Sequence, residues 1–228
     1  MIETDNENQL EEMVFTLQGI ITKKDLPPVN DIPLRDNYGF LQQNIRLTGL
    51  GCQPFKDTAD TILEAQLVFE RQFLEGIFQK WTPDNLDDNI SINISNRYLE
   101  SRRSHPQEEA LFEKGVDPKG ILAAACTKKN LIHIKDNKVR FFTSSIDKEG
   151  ERCICRFDAA EPQIFRPGDI VEVQLSIIAV AMKNSQKKMK LKLRSVALID
   201  EGFTKERERM IHNRSLKEKA EERERIKE

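Results

Sequence analysis

GDIVEVQLSIIAVAMKNSQKKMKLKLRSVALI, residues 168–199, is the stretch of this 228-residue chain that decides the fold. Its first half alternates apolar and polar side chains from Val171 to Ile177, and a period of two is the pattern of a half-buried β-strand. A polar turn at residues 184–186 follows, and a second alternating run returns through residues 188–194. We therefore expect a long β-hairpin.

The apolar positions change face in the later part of the first strand. Up to Ile177 the apolar residues have odd numbers, whereas Ile178, Val180 and Met182 continue the pattern on even numbers. Such a change predicts either a β-bulge or a strand that is buried on both faces.

The second strand of the hairpin carries a row of positive charge. Met189, Leu191 and Leu193 share one face. The opposite face holds four basic residues: Lys188, Lys190, Lys192 and Arg194. Lysines on a solvated edge strand protect it from pairing with other chains. The same row is suited to contacts with the phosphates of a nucleic acid, so the pattern alone leaves both interpretations open.

Composition limits the class of protein. Charged residues make up 32% of the chain and hydrophobic residues 38%, and the formal net charge is -2. No apolar run reaches the length of a membrane span, and the acidic, polar start does not resemble a secretory signal. The chain has four cysteines, and in this context they do not predict a disulfide framework. We expect an intracellular protein, nuclear or cytoplasmic, without membrane contact.

The chain divides into four predicted parts. Residues 1–36 are an acidic lead and extended linker, residues 37–116 a helical segment, residues 117–203 an antiparallel β-domain, and residues 204–228 a charged helical tail. Apolar residues at helical spacing predict a helix over residues 58–81. Residues 84–96 are rich in Asn and Asp and predict a loop, and residues 97–114 predict a solvated helix.

The predicted fold class is α+β. Alternating segments at residues 131–134, 138–143 and 152–157 add short strands to the hairpin, which makes about five strands. We expect a small antiparallel β-barrel or a strongly curved sheet, with the N-terminal helical segment packed on or beside it and a charged C-terminal helix.

No pattern for catalysis or for a metal stands out. Cys153 and Cys155 lack the spacing of a zinc site and alternate onto one face of a strand. No serine lies in the setting of a nucleophile elbow. The aspartates of the β-domain sit mostly in turns, where local backbone bonding explains them. We therefore expect neither an enzyme nor a bound metal or cofactor.

Basic and aromatic side chains on the predicted strands point to nucleic acid. Proteins that hold single strands use cations for phosphates and aromatic rings for stacked bases. We predict a non-catalytic module of OB-like type that binds single-stranded nucleic acid, since about five strands suffice for such a barrel. The predicted binding residues are Lys138, Arg140, Phe142, Lys188, Lys190, Lys192 and Arg194.

Two alternatives remain. Phe142 could pack beneath a covering helix, for example that of residues 58–81, in place of stacking on a base. The module could instead bind another protein, docking through the apolar stripe of residues 58–81 or through the charged C-terminal helix. Salt separates the two functions, because phosphate binding weakens steeply with salt and apolar docking does not.

Part of the β-domain resembles a known family. FRPGDIVEVQ at residues 165–174, LRSVALID at residues 193–200 and the pattern HxxDNxV at residues 133–139 are similar to an uncharacterised protein family expanded in mushroom-forming fungi. The resemblance covers about residues 117–204. It implies no catalytic or binding residues, because none is assigned in that family. Expanded fungal families are often linked to mobile elements, so the resemblance implies a role with nucleic acid.

Overall fold

The chain is seen in a computed structural model that describes residues 12–31, 37–105, 109–149, 152–182, 185–206 and 209–210. The strands are β1 (Phe15–Asp25), β2 (Gln42–Thr48), β3 (Phe78–Gln79), β4 (Asp84–Leu86), β5 (Asn89–Arg97), β6 (Glu100–Ser101), β7 (Leu131–Ile132), β8 (Arg140–Glu149), β9 (Arg152–Ala159), β10 (Ile170–Ala181) and β11 (Lys187–Asp200). The helices are α1 (Gln53–Glu70) and α2 (Ile121–Lys129). The fold class is α+β, as predicted. Among these residues no helix is both long enough and apolar enough to cross a membrane.

Five of the strands close into a small barrel. β1 pairs antiparallel with β2 and β10, β2 with β5, and β10 with β11. The ring is completed by a parallel contact between β5 and β11, at Ser95 and Lys192. The pairing is therefore mixed, which corrects the antiparallel barrel expected from the sequence, because a hairpin pattern does not reveal the second partner of its strands. The strand number and the partly open seam between β5 and β11 are those of an OB-like barrel.

β11 lies in the interior of the sheet. β10 occupies one of its edges along nearly the whole length. Three strands share the other edge and run parallel to it: β3 at Lys187 and Lys188, β5 at Lys192, and β8 at residues 195–198. A strand with partners on both edges needs no protection from pairing with other chains. The lysine row is therefore not explained as edge protection.

The change of apolar face predicted for the first strand of the hairpin arises because β10 carries apolar residues on both of its faces. Ile177 and Ala179 pack against the barrel core, as the earlier odd-numbered residues of β10 do. Ile178 pairs with Lys190 and Val180 pairs with Lys188, and residues opposite one another share a face. The even-numbered apolar residues therefore lie on the outer face, beside the lysines.

A β-bulge occurs in the partner strand. The pairing shifts between Gln174, which faces Ser195, and Leu175, which faces Leu193, so Arg194 has no partner on β10. The inward positions of β11 pass from Leu193 to Val196 across this extra residue, and both are fully buried. Arg194 is thus set apart from the regular alternation of the lysines before it.

α1 packs against the barrel through its first turns. Phe55, Ala59 and Ile62 belong to the barrel core. A β-carbon added to Gly49 would lie 2.3 Å from Cβ of Phe55, so only glycine permits this close approach of helix and strand.

The helix is shifted from the one predicted over residues 58–81. α1 begins at Gln53, with a proline in its first turn, and ends at Glu70. The chain then turns at Gly76, whose φ is +78°. Phe73 and Phe78 stack at 5.4 Å between ring centroids and pack against the core, as Trp81 does. These rings reach the core from turns and from β3. In the sequence they are spaced as in a helix, and the predicted helix was therefore extended too far, to residue 81.

The predicted helical segment of residues 37–116 consists largely of strands. Residues 84–96, predicted as a loop, form most of β4 and β5. Ile92 and Ile94 of β5 are fully buried, and they alternate with small polar residues. Within residues 97–114, Arg97 ends β5, Glu100 and Ser101 form β6, and none of the described residues is helical, which corrects the second predicted helix. The barrel therefore takes strands from both sides of residue 116.

The C-terminal end of the described chain is anchored to the barrel. Thr204 is buried, and its hydroxyl donates a hydrogen bond to Oδ1 of Asp169 at 2.5 Å. Oδ2 of Asp169 accepts a second hydrogen bond from the backbone N–H of Arg166 at 2.6 Å. The acidic lead up to residue 11 and most of the charged tail predicted over residues 204–228 lie outside the described residues.

His133 is buried beside a second apolar cluster formed by Tyr98, Leu99, Leu122 and Ala125. Its ring lies 4.4 Å from that of Phe112, and its Nδ1 donates a hydrogen bond to the carbonyl oxygen of Tyr98 at 2.8 Å. Burial lowers the pKa of His133 below 6.5, and the charge of Lys138 adds to the effect, against the opposing influence of the Tyr98 carbonyl and Glu113.

We expect His133 to destabilise the protein in mild acid. Because its pKa is lower in the folded chain, the unfolded chain binds more protons at pH values below about 6.5. Neutral His133 therefore makes its full contribution to folding stability above that pH, and this contribution is lost as the pH falls toward the pKa of His133 in the folded chain. His133→Asn keeps an N–H donor for Tyr98 and cannot titrate. The free energy of unfolding, measured with urea at about pH 7.5 and at about pH 5.5, should fall less between the two pH values for this variant than for the wild type. Equal decreases in the two proteins would contradict the prediction.

Candidate functional site

A groove opens on the outer surface of the barrel, along the seam between β5 and β11. The two strands pair only at Ser95 and Lys192. The cavity beside this contact has a volume of about 740 Å³. Its lining comes from both seam strands, from the end of β10 and the turn after it, from β6, and from the start of β2 with the chain before it. The lining residues are Phe40, Gln42, Ser95, Asn96, Arg97, Glu100, Ile178, Val180, Ala181, Met182, Gln186, Lys188, Lys190 and Lys192.

Four cations line the groove: Arg97, Lys188, Lys190 and Lys192. Lys188 and Lys190 reach it from the outer face of β11, and Arg97 reaches it from the end of β5. Burial lowers the pKa of Lys190, and the charges of Arg97 and Lys188 lower it further, while Glu100 acts in the opposite direction. Positive charge is thus held close together in a half-buried setting. An anion bound there would relieve the repulsion among these cations.

Apolar side chains lie beside the lysines. Ile178 is opposite Lys190 and Val180 is opposite Lys188, and both apolar side chains are half-buried in the groove wall. Met182, at the end of the hairpin, is 42% exposed. In the groove, a row of cations therefore lies beside an apolar wall. β10 has apolar residues on both faces because one face packs on the barrel core and the other forms this wall.

Phe40 stands at the mouth of the groove with its ring in solvent. Its side chain is 71% exposed, although large apolar side chains are usually buried. The guanidinium carbon of Arg97 lies 5.8 Å from the centroid of the ring. Arg97 is also held by Glu100, at 3.6 Å between nitrogen and oxygen. An exposed ring beside a cation is the combination on which a flat aromatic ligand stacks.

The groove continues past the lysines into a smaller cavity of about 220 Å³. Gln42, Ser95, Lys188 and Lys190 line both cavities. Trp81 lines the smaller one and is partly buried. The polar side chains of Gln42 and Ser95, which carry hydrogen-bond donors and acceptors, therefore lie in both cavities. The ring of Phe40 lines the larger cavity and the indole of Trp81 lines the smaller one.

Lys192 and Arg194 are occupied by carboxylates of the same chain. Asp136 accepts from both of them, and Glu12 accepts from Arg194. Burial would raise the pKa of Asp136, but the hydrogen bonds and charges of Lys192 and Arg194 outweigh it and hold that pKa below its usual range. The row of four cations is therefore divided. Lys188 and Lys190 line the groove without a salt bridge to any described residue. Lys192 also lines it but is paired with Asp136, and together with Arg194 it ties the turn at residues 135–137 to the barrel.

The remaining predicted binding residues lie around a different cavity. Arg140 and Phe142 of β8 line a space of about 370 Å³ together with Glu113 and Glu161. Phe142 is half-buried, between Ala159 of β9 and Ala197 of β11. Lys138 lies 3.9 Å from Glu113. The structure therefore does not bring these residues into the groove that Lys188 and Lys190 line.

Phe40 and Arg97 were not among the predicted residues. Arg97 falls in a segment predicted as a solvated helix, and Phe40 falls in one predicted as helical. The available signal was the alternation of isoleucines with Ser and Asn up to Asn96, which is the pattern of a strand that would end at Arg97.

No protein-family model matches the chain, so the resemblance to a fungal family gains no support, and no curated protein matches it either. Among solved structures, the chain is similar to gp2.5, a single-stranded DNA-binding protein encoded by bacteriophage T7. The TM-score is 0.38 and the identity 14%, over 83% of this chain and 87% of that one.

Proposed function

We propose that this chain is a non-catalytic protein that binds single-stranded nucleic acid in the groove between β5 and β11. The observation that carries the proposal is the meeting of Lys188, Lys190 and Arg97 with the exposed ring of Phe40 in one cavity of about 740 Å³. Phosphates would lie against the cations, and bases against the ring and the apolar wall.

The apolar half of the groove favours a single strand over a duplex. In a duplex the faces of the bases are stacked on one another, so Phe40, Ile178 and Val180 would have nothing to contact. In a single strand the faces are free, and stacking on aromatic side chains is worth about 1–3 kcal/mol per base. The polar side chains of Gln42 and Ser95 are within the same groove and can bond to base edges.

Fluorescence anisotropy of a labelled single-stranded oligonucleotide tests the proposal. We expect binding at low salt that weakens as salt rises, because bound phosphates release counterions. A duplex of the same length should compete poorly. Absence of binding to single strands at low salt would overturn the proposal.

Phe40→Ala is expected to weaken binding by about 1–3 kcal/mol if a base stacks on the ring. Stability should change by less than about 0.5 kcal/mol, since the side chain is mostly in solvent. Phe203→Ala is the matched control, because Phe203 is also 71% exposed and does not line the groove. Equal binding by the two variants would remove Phe40 from the site.

Lys138, Arg140 and Phe142 remain predicted contacts, and their role depends on the length of strand bound. The cavity that Arg140 and Phe142 line also contains carboxylates, so it is less suited to phosphates than the groove. We expect their substitution to affect long oligonucleotides only. An equal effect on oligonucleotides of every length would place them in the main site.

A protein-binding function is the second candidate, because part of α1 is exposed and apolar. Leu67 is 51% exposed and Val68 is 60% exposed, on the side of α1 away from Phe55 and Ile62. Binding through this surface would be insensitive to salt. Salt-independent capture of a protein, together with no oligonucleotide binding, would favour this candidate.

A further inference from the structure

The smaller cavity beside the groove occupies a gap in the strand pairing. β3 pairs with β11 at Lys187 and Lys188, and β5 pairs with it at Lys192. Among the described residues, no strand pairs with residues 189–191 on this edge of β11, because the chain after β3 leaves β11 and runs on to β4. The cavity is lined by residues 188–191 of β11 and by residues on either side of the gap: Gln42, Trp81, Thr82, Asp84, Asn93 and Ser95.

Trp81 is held in a fixed position at this cavity. The residue is partly buried and packs against the barrel core. Its backbone N–H donates a hydrogen bond to the side-chain oxygen of Gln66, which is buried in α1. An aromatic ring that is already in place loses little conformational freedom when a ligand stacks on it. Trp81 is therefore suited to stack on a base, as the exposed ring of Phe40 is in the larger cavity.

The polar lining of the smaller cavity suits a base better than a phosphate. The carboxylate of Asp84, whose Oδ2 lies 3.1 Å from a guanidinium nitrogen of Arg46, would repel a phosphate. The hydroxyls of Thr82 and Ser95 and the amide of Asn93 can bond to the edge of a base. The cations of this cavity, Lys188 and Lys190, also line the groove. Positive charge therefore lies where the two cavities meet, with one aromatic ring in each cavity.

We propose that the smaller cavity binds a second base, which stacks on Trp81, while a first base lies on Phe40 in the groove. The backbone between the two bases lies against Lys188 and Lys190. This inference rests on the proposed function of the groove and names its ligand more closely. The ligand is an oligonucleotide that reaches both cavities, because a mononucleotide can occupy only one of the two rings.

The fluorescence of Trp81 tests the second site, since Trp81 is the only tryptophan of the chain. The full-length protein is titrated with a thymidine oligonucleotide of about ten nucleotides, with anisotropy of the labelled oligonucleotide measured in parallel. We expect saturable quenching of Trp81 with the same dissociation constant as the anisotropy gives. Thymidine monophosphate should bind at least about 100-fold more weakly, because it cannot join the two cavities.

Thr82→Glu places a second carboxylate in the smaller cavity. Thr82 is exposed and lines the smaller cavity but not the larger one. The variant should bind the oligonucleotide at least about tenfold more weakly, because like charges are brought together. Asn85→Glu is the matched control, since Asn85 is exposed on β4 and lines neither cavity. The control should bind nearly as the wild type does, and both variants should melt at the wild-type temperature.

The two readouts distinguish failure of the second site from failure of the groove. Oligonucleotide binding by anisotropy without a change in Trp81 emission would overturn the second site and leave the groove in place. Equal affinities of Thr82→Glu and Asn85→Glu, or equal affinities of the wild type for the oligonucleotide and thymidine monophosphate, would also overturn it. Absence of binding by either readout would overturn both proposals.

Discussion

Changing Lys188 and Lys190 together to glutamine should weaken binding of a single-stranded oligonucleotide by roughly 100-fold at low salt. A hydrogen bond to a charged partner contributes about 1.5 kcal/mol at the lower end of its range, and about 1.4 kcal/mol is a tenfold change in Kd. Both lysines lie in the groove, and neither is held by a salt bridge among the described residues. Glutamine keeps most of the length and polarity of the side chain, so the change isolates the charge.

The salt dependence of the same variant should also change. For single strands, the logarithm of the binding constant falls with the logarithm of salt by about 0.7 for each phosphate neutralised. Two lost contacts should therefore reduce the slope by about 1.4. The losses should be similar for every base sequence, because phosphate contacts carry no base information.

Lys56→Gln with Lys128→Gln is the matched control. These lysines are exposed, on α1 and α2, outside the groove. The control removes the same net charge, so any general electrostatic attraction falls equally in the two double variants. We expect the control to bind nearly as the wild type does. Equal losses would show that binding is an effect of overall charge and that the groove is not the site.

The sequence predicts the hairpin of β10 and β11 well because both of its faces have a clear character. One face of each strand is inside the barrel and must be apolar, so the period of two is regular over many residues. Strands were also predicted at residues 138–143 and 152–157, and the structure has β8 and β9 there, although both lie outside the five-stranded barrel. Their positions follow from local alternation, which requires no knowledge of distant partners.

The N-terminal half was misread because local composition competed with alternation. Asn and Asp are common in turns, and they obscured the isoleucine alternation of β5. The rings of Phe73, Phe78 and Trp81 fell at helical spacing, although only the residues up to Glu70 are helical. In both places the tertiary structure decides: β5 pairs with β2 in the barrel, and the three rings pack in or against the barrel core from outside the helix.

Part of the candidate site, the lysines of β11, could be predicted from the sequence. Alternation places Lys188 and Lys190 on the outer face, and the structure has them there. It cannot reveal that Asp136, more than 50 residues earlier, occupies Lys192 and Arg194. Nor does alternation show that Phe40 lines the same groove as the lysines, since this depends on closure of the barrel between β5 and β11.

Phe165→Ala should lower the stability of the fold by about 3–5 kcal/mol. The side chain is fully buried in the barrel core, with its ring centroid 5.8 Å from that of Phe141. Removing it leaves a cavity between the turn before β10 and the first residues of β8, and a close-packed core relaxes only partly into such a space. For a chain of this size the melting temperature should fall by roughly 6–20 °C.

The Phe165→Ala variant also distinguishes residues that stabilise the core from residues that bind in the groove. Phe165 does not line the groove, so at temperatures where the variant is folded its affinity for a single strand should equal that of the wild type. Phe40→Ala should show the reverse, with normal melting and weakened binding, because its ring is in solvent. Denaturant unfolding and anisotropy on both proteins check the pair. A loss of affinity in folded Phe165→Ala would mean that the barrel transmits strain to the seam, and normal stability in that variant would mean that the core is not packed around Phe165.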